Sequence, residues 1–376
     1  MEFTKIEIED RLIENISESG IRKTDQMNEL ESFCADNPPT DEFERFVRGS
    51  VFYKDTCILK SLPYSYQYVV NDNLTLEIDA NLSKYNIYKM MEGSVIRVFN
   101  HQGTWYTTTH RKLDAFKSKW GNAESFGDLF QNLVKNKFNC LLEEFYEKYL
   151  DVNKSFIFFV GTDDVTRIVS PPHENLFLIC CLNKNNKYIF YEKLKNLYQE
   201  NLQLKDLDEV KNYVKNLKYP FVVSGILIFD TKTLKTYKII NEEYFELTKL
   251  RNNNASIKFA YQCVRNDDEK KNKFITLYSK YQTVFNEIEL EIKQIEKEIL
   301  NKYKQRYIYK KMITLPKHEH IILCELHAEY INFKKCVDLD IVQKVLKKTN
   351  PSNVNKIINE KRKMRKLQEK LKYIEI

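Results

Sequence analysis

Two strand-forming runs separated by a short polar turn constrain this chain more than any other feature. Val95, Arg97 and Phe99 alternate with Ile96 and Val98, and Trp105-Tyr106-Thr107-Thr108-Thr109 follows as a block of aromatic and β-branched residues. Asn100-His101-Gln102-Gly103 between them ends in glycine, so the pair reads as a β-hairpin around which a sheet is organised. Tyr88-Lys89-Met90-Met91-Glu92-Gly93 leads into it and His110-Arg111-Lys112 leaves it.

The composition suits a two-domain globular protein. The 376 residues are 43% apolar and 30% charged, enough for two cores. Gly and Pro number only 8 each, which argues against long flexible linkers. A net charge of +7 is compatible with a polyanionic partner without requiring one. The eight cysteines show no metal-ligand spacing, and Cys180-Cys181 lie together in an apolar run, so reduced, mostly buried thiols in a cytosol-like compartment are expected. Met1-Glu2-Phe3-Thr4-Lys5 does not open a signal peptide, and no run approaches the ~18 apolar residues of a membrane span.

Taken in order, residues 1–40 read as a mixed, partly helical extension ending at the turn Asn37-Pro38-Pro39-Thr40. Residues 46–53 and 57–63 read as strands. Beyond the hairpin, 113–150 is helical in pattern, with Phe126, Leu129, Phe130 and Leu133 at helical spacing. Strands are expected at 155–160, 167–169, 176–181, 221–229 and 233–240, with a helix over 191–217, so that one mixed sheet with inserted helices fills about 40–265. From Asp268 onward glycine is absent, and Ile288, Ile292, Ile295 and Ile299 repeat with helical period. The expected division is an extension (1–40), a sheet domain (41–267) and a helical domain (268–376). The fold class is α+β: a mixed, antiparallel-rich sheet followed by an all-α C-terminal domain.

The order of blocks resembles the RNA ligases of the phage T4 RNA ligase 1 type and their relatives in large DNA viruses, within the nucleotidyltransferase superfamily. The resemblance covers about residues 40–265. Arg48-Gly49-Ser50-Val51-Phe52, Glu92-Gly93-Ser94-Val95, Phe156 to Val160 with Thr166-Arg167-Ile168-Val169, Ser224-Gly225-Ile226-Leu227, and Lys238 to Tyr244 follow one another as that family's motifs do. The resemblance implies a ligase-type sheet domain and, as nucleotide-binding residues, Arg48, Glu92, Gly93 and Lys238. In such ligases a lysine attacks the nucleotide α-phosphate to form a lysyl–AMP, carboxylates hold Mg²⁺ or Mn²⁺, and paired lysines offset charge on the phosphate.

Several of those positions depart from the pattern. Aligned without gaps from Gly93, the nucleophile falls on Met90, and Lys89 lies one residue earlier, an offset that on a strand turns a side chain to the opposite face. The acid of the third block falls on Phe158, the glutamate of E-G-x-V on Ser224 and the second lysine of K-x-K on Ile240. Arg48, Glu92, Gly93, Arg167, Gly225, Lys238 and Tyr244 match. Phe158 and Ile240 make the site unsuited to a triphosphate and its metal. The reading is therefore a ligase scaffold without ligation chemistry, with no cofactor or metal expected. Its partners are single-stranded RNA or another nucleic acid, or viral proteins, and not a membrane; its place is the host cytoplasm or virus factory, or packaging in the virion. The alternative is an active ATP-dependent RNA ligase that forms a lysyl–AMP through Lys89 and uses ATP with Mg²⁺ or Mn²⁺.

Three further clusters bear on function. His110, Arg111, Lys112, Lys117 and Lys119, interleaved with Trp105, Tyr106, Phe116 and Trp120, are candidate nucleic-acid-binding residues, against a reading as aromatics packed under a solvated face. His320, Cys324 and His327 could share a helix face, but surface or core histidines are the expectation there. Lys361-Arg362-Lys363 and Arg365-Lys366 are read as a solvated helix face rather than a phosphate-binding stripe.

Overall fold

The computed structural model describes residues 4, 5, 7, 8, 20–71, 73–76, 78, 81–121, 124–162, 168 and 175–372. The expected strand at 167–169, Arg167 included, lies outside the described residues except for Ile168. The chain divides into two compact units, Met1–Lys249 and Leu250–Ile376.

Among the described residues the first unit carries three sheets rather than one mixed sheet. The first runs β1 (Arg22–Met27), β2 (Leu30–Cys34), β3 (Ser50–Tyr53), β4 (Thr56–Leu59), all antiparallel. Residues 22–34 are thus not a mixed extension but a hairpin. Asn28 and Glu29 adopt positive φ at its turn, and Leu30, Phe33 and Cys34 are buried under it. The expected strand at 46–53 begins as helix α1 (Glu42–Val47), because the Asp41 carboxylate accepts from the Glu44 amide at 2.8 Å and caps it. The strand starts only at Ser50.

Next in the chain come β5 (Tyr66–Val69), β6 (Asn86–Met90), β7 (Ser94–His101) and β8 (Thr104–Thr108). The expected hairpin is β7–β8, with positive φ at Gln102 and Gly103 in its turn. The stretch expected to be helical over 113–150 resolves into a short 3-10 turn and two helices, α2 (Phe126–Phe138) and α3 (Leu142–Tyr149). Then follow β9 (Ser155–Gly161), β10 (Asn175–Leu182), β11 (Tyr188–Ile189), α4 (Leu207–Lys215), β12 (Gly225–Phe229), β13 (Thr236–Ile240) and α5 (Glu242–Arg251). Helix over 191–217 is confined to a 3-10 segment and α4, since the stretch between them lacks helical hydrogen bonds.

The hairpin belongs to the sheet β11-β10-β9-β7-β8, and β6 to a separate one, β5-β13-β12-β6. Registers assign the faces, because directly paired residues share one. Ile96, Val98, Phe156 and Phe158 form one face of the hairpin sheet and pack on α2 and α3 in one apolar cluster. Val95, Arg97, Ile157 and Phe159 form the other. Ile157 and Val95 meet Phe229 and Tyr88 from the second sheet, so this face is turned toward it. Burial of Phe130, Phe145, Phe156 and Phe158 together contributes about 1.5–3 kcal/mol per ring.

The second unit is helical: α6 (Ile257–Val264), α7 (Asp268–Leu277), α8 (Gln282–Tyr303), α9 (Lys317–Phe333), α10 (Leu339–Lys348) and α11 (Pro351–Lys372). Phe285, Ile288, Ile292, Ile295 and Ile299 on α8 are its buried spine. The α+β architecture is as expected: antiparallel-rich sheets, then helices.

Candidate nucleic-acid interface

Pairing of β6 with β12 and of β12 with β13 sets the rows that decide which side chains meet. Lys89 is opposite Ile226, which is opposite Ile239. Ile226 and Ile239 are fully buried with Ile87, Val210 and Val214, so Lys89 rises on the α4-covered face, where it is exposed. Tyr88 is opposite Leu227, which is opposite Lys238. Lys238 therefore occupies the other face, toward the hairpin sheet. Met90, Gly225 and Ile240 form the next row on that same face. The position aligned with a nucleophile is thus on the inner face and apolar, while the nearby lysine points away from it.

Other motif positions have structural occupations. The Ser224 hydroxyl donates to the Met90 carbonyl at 3.0 Å, and Ile240 packs with Met90, Phe221 and Tyr244. Glu92 accepts from the Tyr244 hydroxyl through one oxygen and from the Ile168 amide at 2.9 Å through the other. Gly93 is required by crowding: a Cβ there would lie 2.4 Å from the Val160 carbonyl oxygen. Phe158 requires a correction. It packs on Phe130 on the helix-covered face, so it does not line the inner face as expected; Ile157 and Phe159 do. Both faces of this strand are apolar at these positions.

The hairpin carries an arginine that motif reading missed. Arg97 is fully buried at an inward position between Val95 and Phe99, and its guanidinium donates to the carbonyls of Gly49 and Thr109. Gly49, at φ +65°, fits under it: a Cβ there would lie 2.8 Å from Arg97 Nη1 and 3.0 Å from His110 Cα. Arg97 Nε and His110 Nε2 are buried with no hydrogen-bond partner among the described residues. Arg48 stacks over Tyr64 at 4.8 Å and donates to the carbonyls of Leu62 and Pro63, each at 3.3 Å. The electrical surroundings of His110 are cationic: burial first, then Arg48, Arg97, Arg111 and Lys238, hold its imidazole well below the usual histidine range. Burial pushes Arg97 down to about 9. Among the described residues no carboxylate pairs with Arg48, Arg97 or Arg111. A charge in a fully polar cage of that kind is costly unless an anion joins it.

The structure therefore brings Arg48, His110, Arg111 and Lys238 to one place, and sorts the other candidates elsewhere. Lys112 faces Asp25 at 3.5 Å, Lys117 faces Asp114 at 3.0 Å, and Lys119 is exposed. Trp105 and Tyr106 are not stacking surfaces: Trp105 packs on Tyr146 at 5.3 Å and Tyr106 on Phe99 at 5.3 Å. The charged residue amid the alternation of 95–99 was the one signal that pointed to Arg97. Asn241 left no such signal; its amide donates to the Val214 carbonyl at 2.8 Å, and its side-chain oxygen accepts from the Tyr244 amide at 3.0 Å.

The inner face presents Met90, Ile240, Ile157 and Phe159, and among the described residues no three His, Cys, Asp or Glu converge. His320 and Cys324 approach to 3.7 Å, but His327 stacks on Tyr307 instead of joining them. Among the described residues, no helix is long and apolar enough to cross a membrane.

What fold and site define is an α+β protein with a helical unit and a cluster of cations about His110, whose arginines meet no carboxylate among the described residues. The chain belongs to the family of the immediate-early protein ICP-46. It is 33% identical to the ICP-46 homolog of Invertebrate iridescent virus 6, over 94% of this chain and 86% of that one. It is 28% identical to the homolog of Invertebrate iridescent virus 3, over 87% and 75%. The protein of that name in Frog virus 3 is 22% identical over 61% of each. No protein-family model matches the chain. Among solved structures, it is similar to an archaeal ATP-dependent RNA ligase (TM-score 0.42, 11% identity, 73% of this chain and 70% of that one). A second similarity is to a putative ATP-dependent DNA ligase from Aquifex aeolicus (TM-score 0.42, 14% identity, 86% and 88%).

Proposed function

We propose that this viral chain is a ligase-like scaffold that binds single-stranded RNA through Arg48, His110, Arg111 and Lys238 and does not transfer nucleotides. It would act early in infection, in the host cytoplasm or virus factory, or packaged in the virion. The observation that carries this reading is the convergence of Arg48, Arg97 and Arg111 on half-buried His110, with no carboxylate paired to those three arginines among the described residues. Backbone phosphates are the anions that a cluster of that size accommodates, each contact releasing a counterion. The loss of nucleotidyl transfer is supported by Met90 on the inner face and Lys89 on the opposite one.

Two measurements test it. Anisotropy titration with a labelled oligouridine should give an affinity that falls with salt. The slope should be about −2 in log–log form, from roughly three phosphate contacts at about −0.7 each. Arg48→Ala with Lys238→Ala should weaken binding at least about tenfold; binding that ignores salt and both substitutions would leave a viral protein as partner. Incubation with α-labelled ATP and Mg²⁺ or Mn²⁺ should leave the chain unlabelled. A covalent label that disappears in Lys89→Ala would replace this reading with an active ligase.

A further inference from the structure

Helix α8 ends in a π-helical turn, Lys304–Ile308, which widens the backbone where Tyr307 projects toward α9. The Tyr307 ring stacks on His327 at 4.0 Å and 16°, and His327 is near-parallel to Tyr330 at 5.9 Å and 16°. Tyr303 holds the imidazole from below, its hydroxyl 3.4 Å from His327 Nδ1. Three rings thus form a ladder whose last member, Tyr330, is 41% exposed with one face uncovered by any ring contact among the described residues. The core explains Tyr303 and the inward side of Tyr307; it does not explain why the ladder continues outward.

Charge is one-sided on the α8 side of the ladder, whereas α9 carries Glu325 and Glu329 next to His327 and Tyr330. Residues 299–318 include six Lys or Arg and no Asp or Glu. Lys302 is consumed by Glu319, whereas Arg306 lies over Tyr307 at 5.6 Å and touches His320 at 3.3 Å. Lys310 and Lys311 are exposed. Stacked aromatic rings flanked by cations match a strand of unpaired bases and its phosphates better than an apolar peptide, which would leave those charges stranded.

We infer that the Tyr307–His327–Tyr330 ladder of the helical unit is a second RNA contact, on which an unpaired base stacks against Tyr330 while Arg306, Lys310 and Lys311 face the adjoining phosphates. The choice of RNA rests on the reading of the first unit, but the ladder reads bases and the His110 cluster reads phosphates, so the two fail separately. The test uses the full chain and two probes, an oligouridine and an abasic oligonucleotide of equal length and charge. The base-bearing probe binds at least about fivefold more tightly. Tyr330→Ala erases that preference, Tyr330→Trp restores it, and Arg48→Ala weakens both probes while leaving their ratio intact. Photocrosslinking of thiouridine-substituted RNA should map to 304–333. Equal binding of the two probes, or a preference that survives Tyr330→Ala, overturns the inference. So does a Tyr330→Ala chain that loses self-association in sedimentation with RNA affinity unchanged, which would assign the ladder to a second copy. Unchanged affinity of both probes in Arg48→Ala with Lys238→Ala, with the base preference intact, would overturn the first reading alone.

Discussion

The His110 cluster of the first unit and the α11 stripe of the second are both built from Lys and Arg, yet they are electrostatically opposite. On α11, Arg362 makes a two-pronged contact with Glu291 at 3.0 and 2.7 Å, Lys361 pairs with Glu298, and Arg365 reaches Gln294 at 3.2 Å. These cations are spent on α8, correcting the expectation of a solvated face for Lys361 and Arg362. Around His110 the cations meet carbonyls and one another. The difference teaches that equal basic content can be spent on carboxylates in one region and on carbonyls in another, which sequence composition does not distinguish.

The comparison breaks first on RNA affinity. Where Arg48→Ala with Lys238→Ala is expected to cost about tenfold or more, Lys361→Ala with Arg362→Ala should change affinity by less than about twofold. Equal losses would erase the distinction. Stability should separate the regions next. Arg97→Met strands the Gly49 and Thr109 carbonyls in the interior, and about 2–4 kcal/mol should be lost in denaturant titration. A more stable Arg97→Met protein would mean that the buried charge is a net burden. Arg362→Ala removes a partly exposed pair and should cost about 1 kcal/mol at most.

The smallest effect is on pH. His110 titrates below the usual histidine range in the folded chain, so the unfolded chain takes up the proton first. Its contribution to stability is present above pH about 6.5 and falls away as pH drops through the interval beneath. His110→Gln should flatten the melting temperature across that interval, and bound oligouridine should do the same by favouring the imidazolium. A wild-type profile already flat there would show that the surrounding cations do not govern the imidazole.

Much of the fold was legible because it depends on local pattern. Alternation over 95–99, the turn ending at Gly103, and the isoleucine period from Ile288 to Ile299 each predict an element that formed. The strand reading at 46–49 failed because Phe46 and Val47 are strand formers whose preference yielded to the Asp41 cap. The hairpin at 22–34 was missed because its first strand is almost wholly polar, leaving no alternation to read. The aromatic residues beside His110 were ambiguous in sequence for a related reason: a ring buried against Tyr146 and a ring awaiting a base have the same composition.

By itself the sequence determined that this chain is α+β with a helical end, and that Lys89 and Met90 are neighbours on one strand-forming run. The last point already implied opposite faces, since side chains on a strand alternate. Only the tertiary structure decided which face is inner, because that depends on long-range pairing of β6 with β12 and β13. The same pairing put Met90 beside Ile240, and the packing of sheets brought Arg48 to the Arg97–His110 hairpin from about 50 residues away in sequence. Charge compensation is a property of distance in space, and sequence order does not encode it.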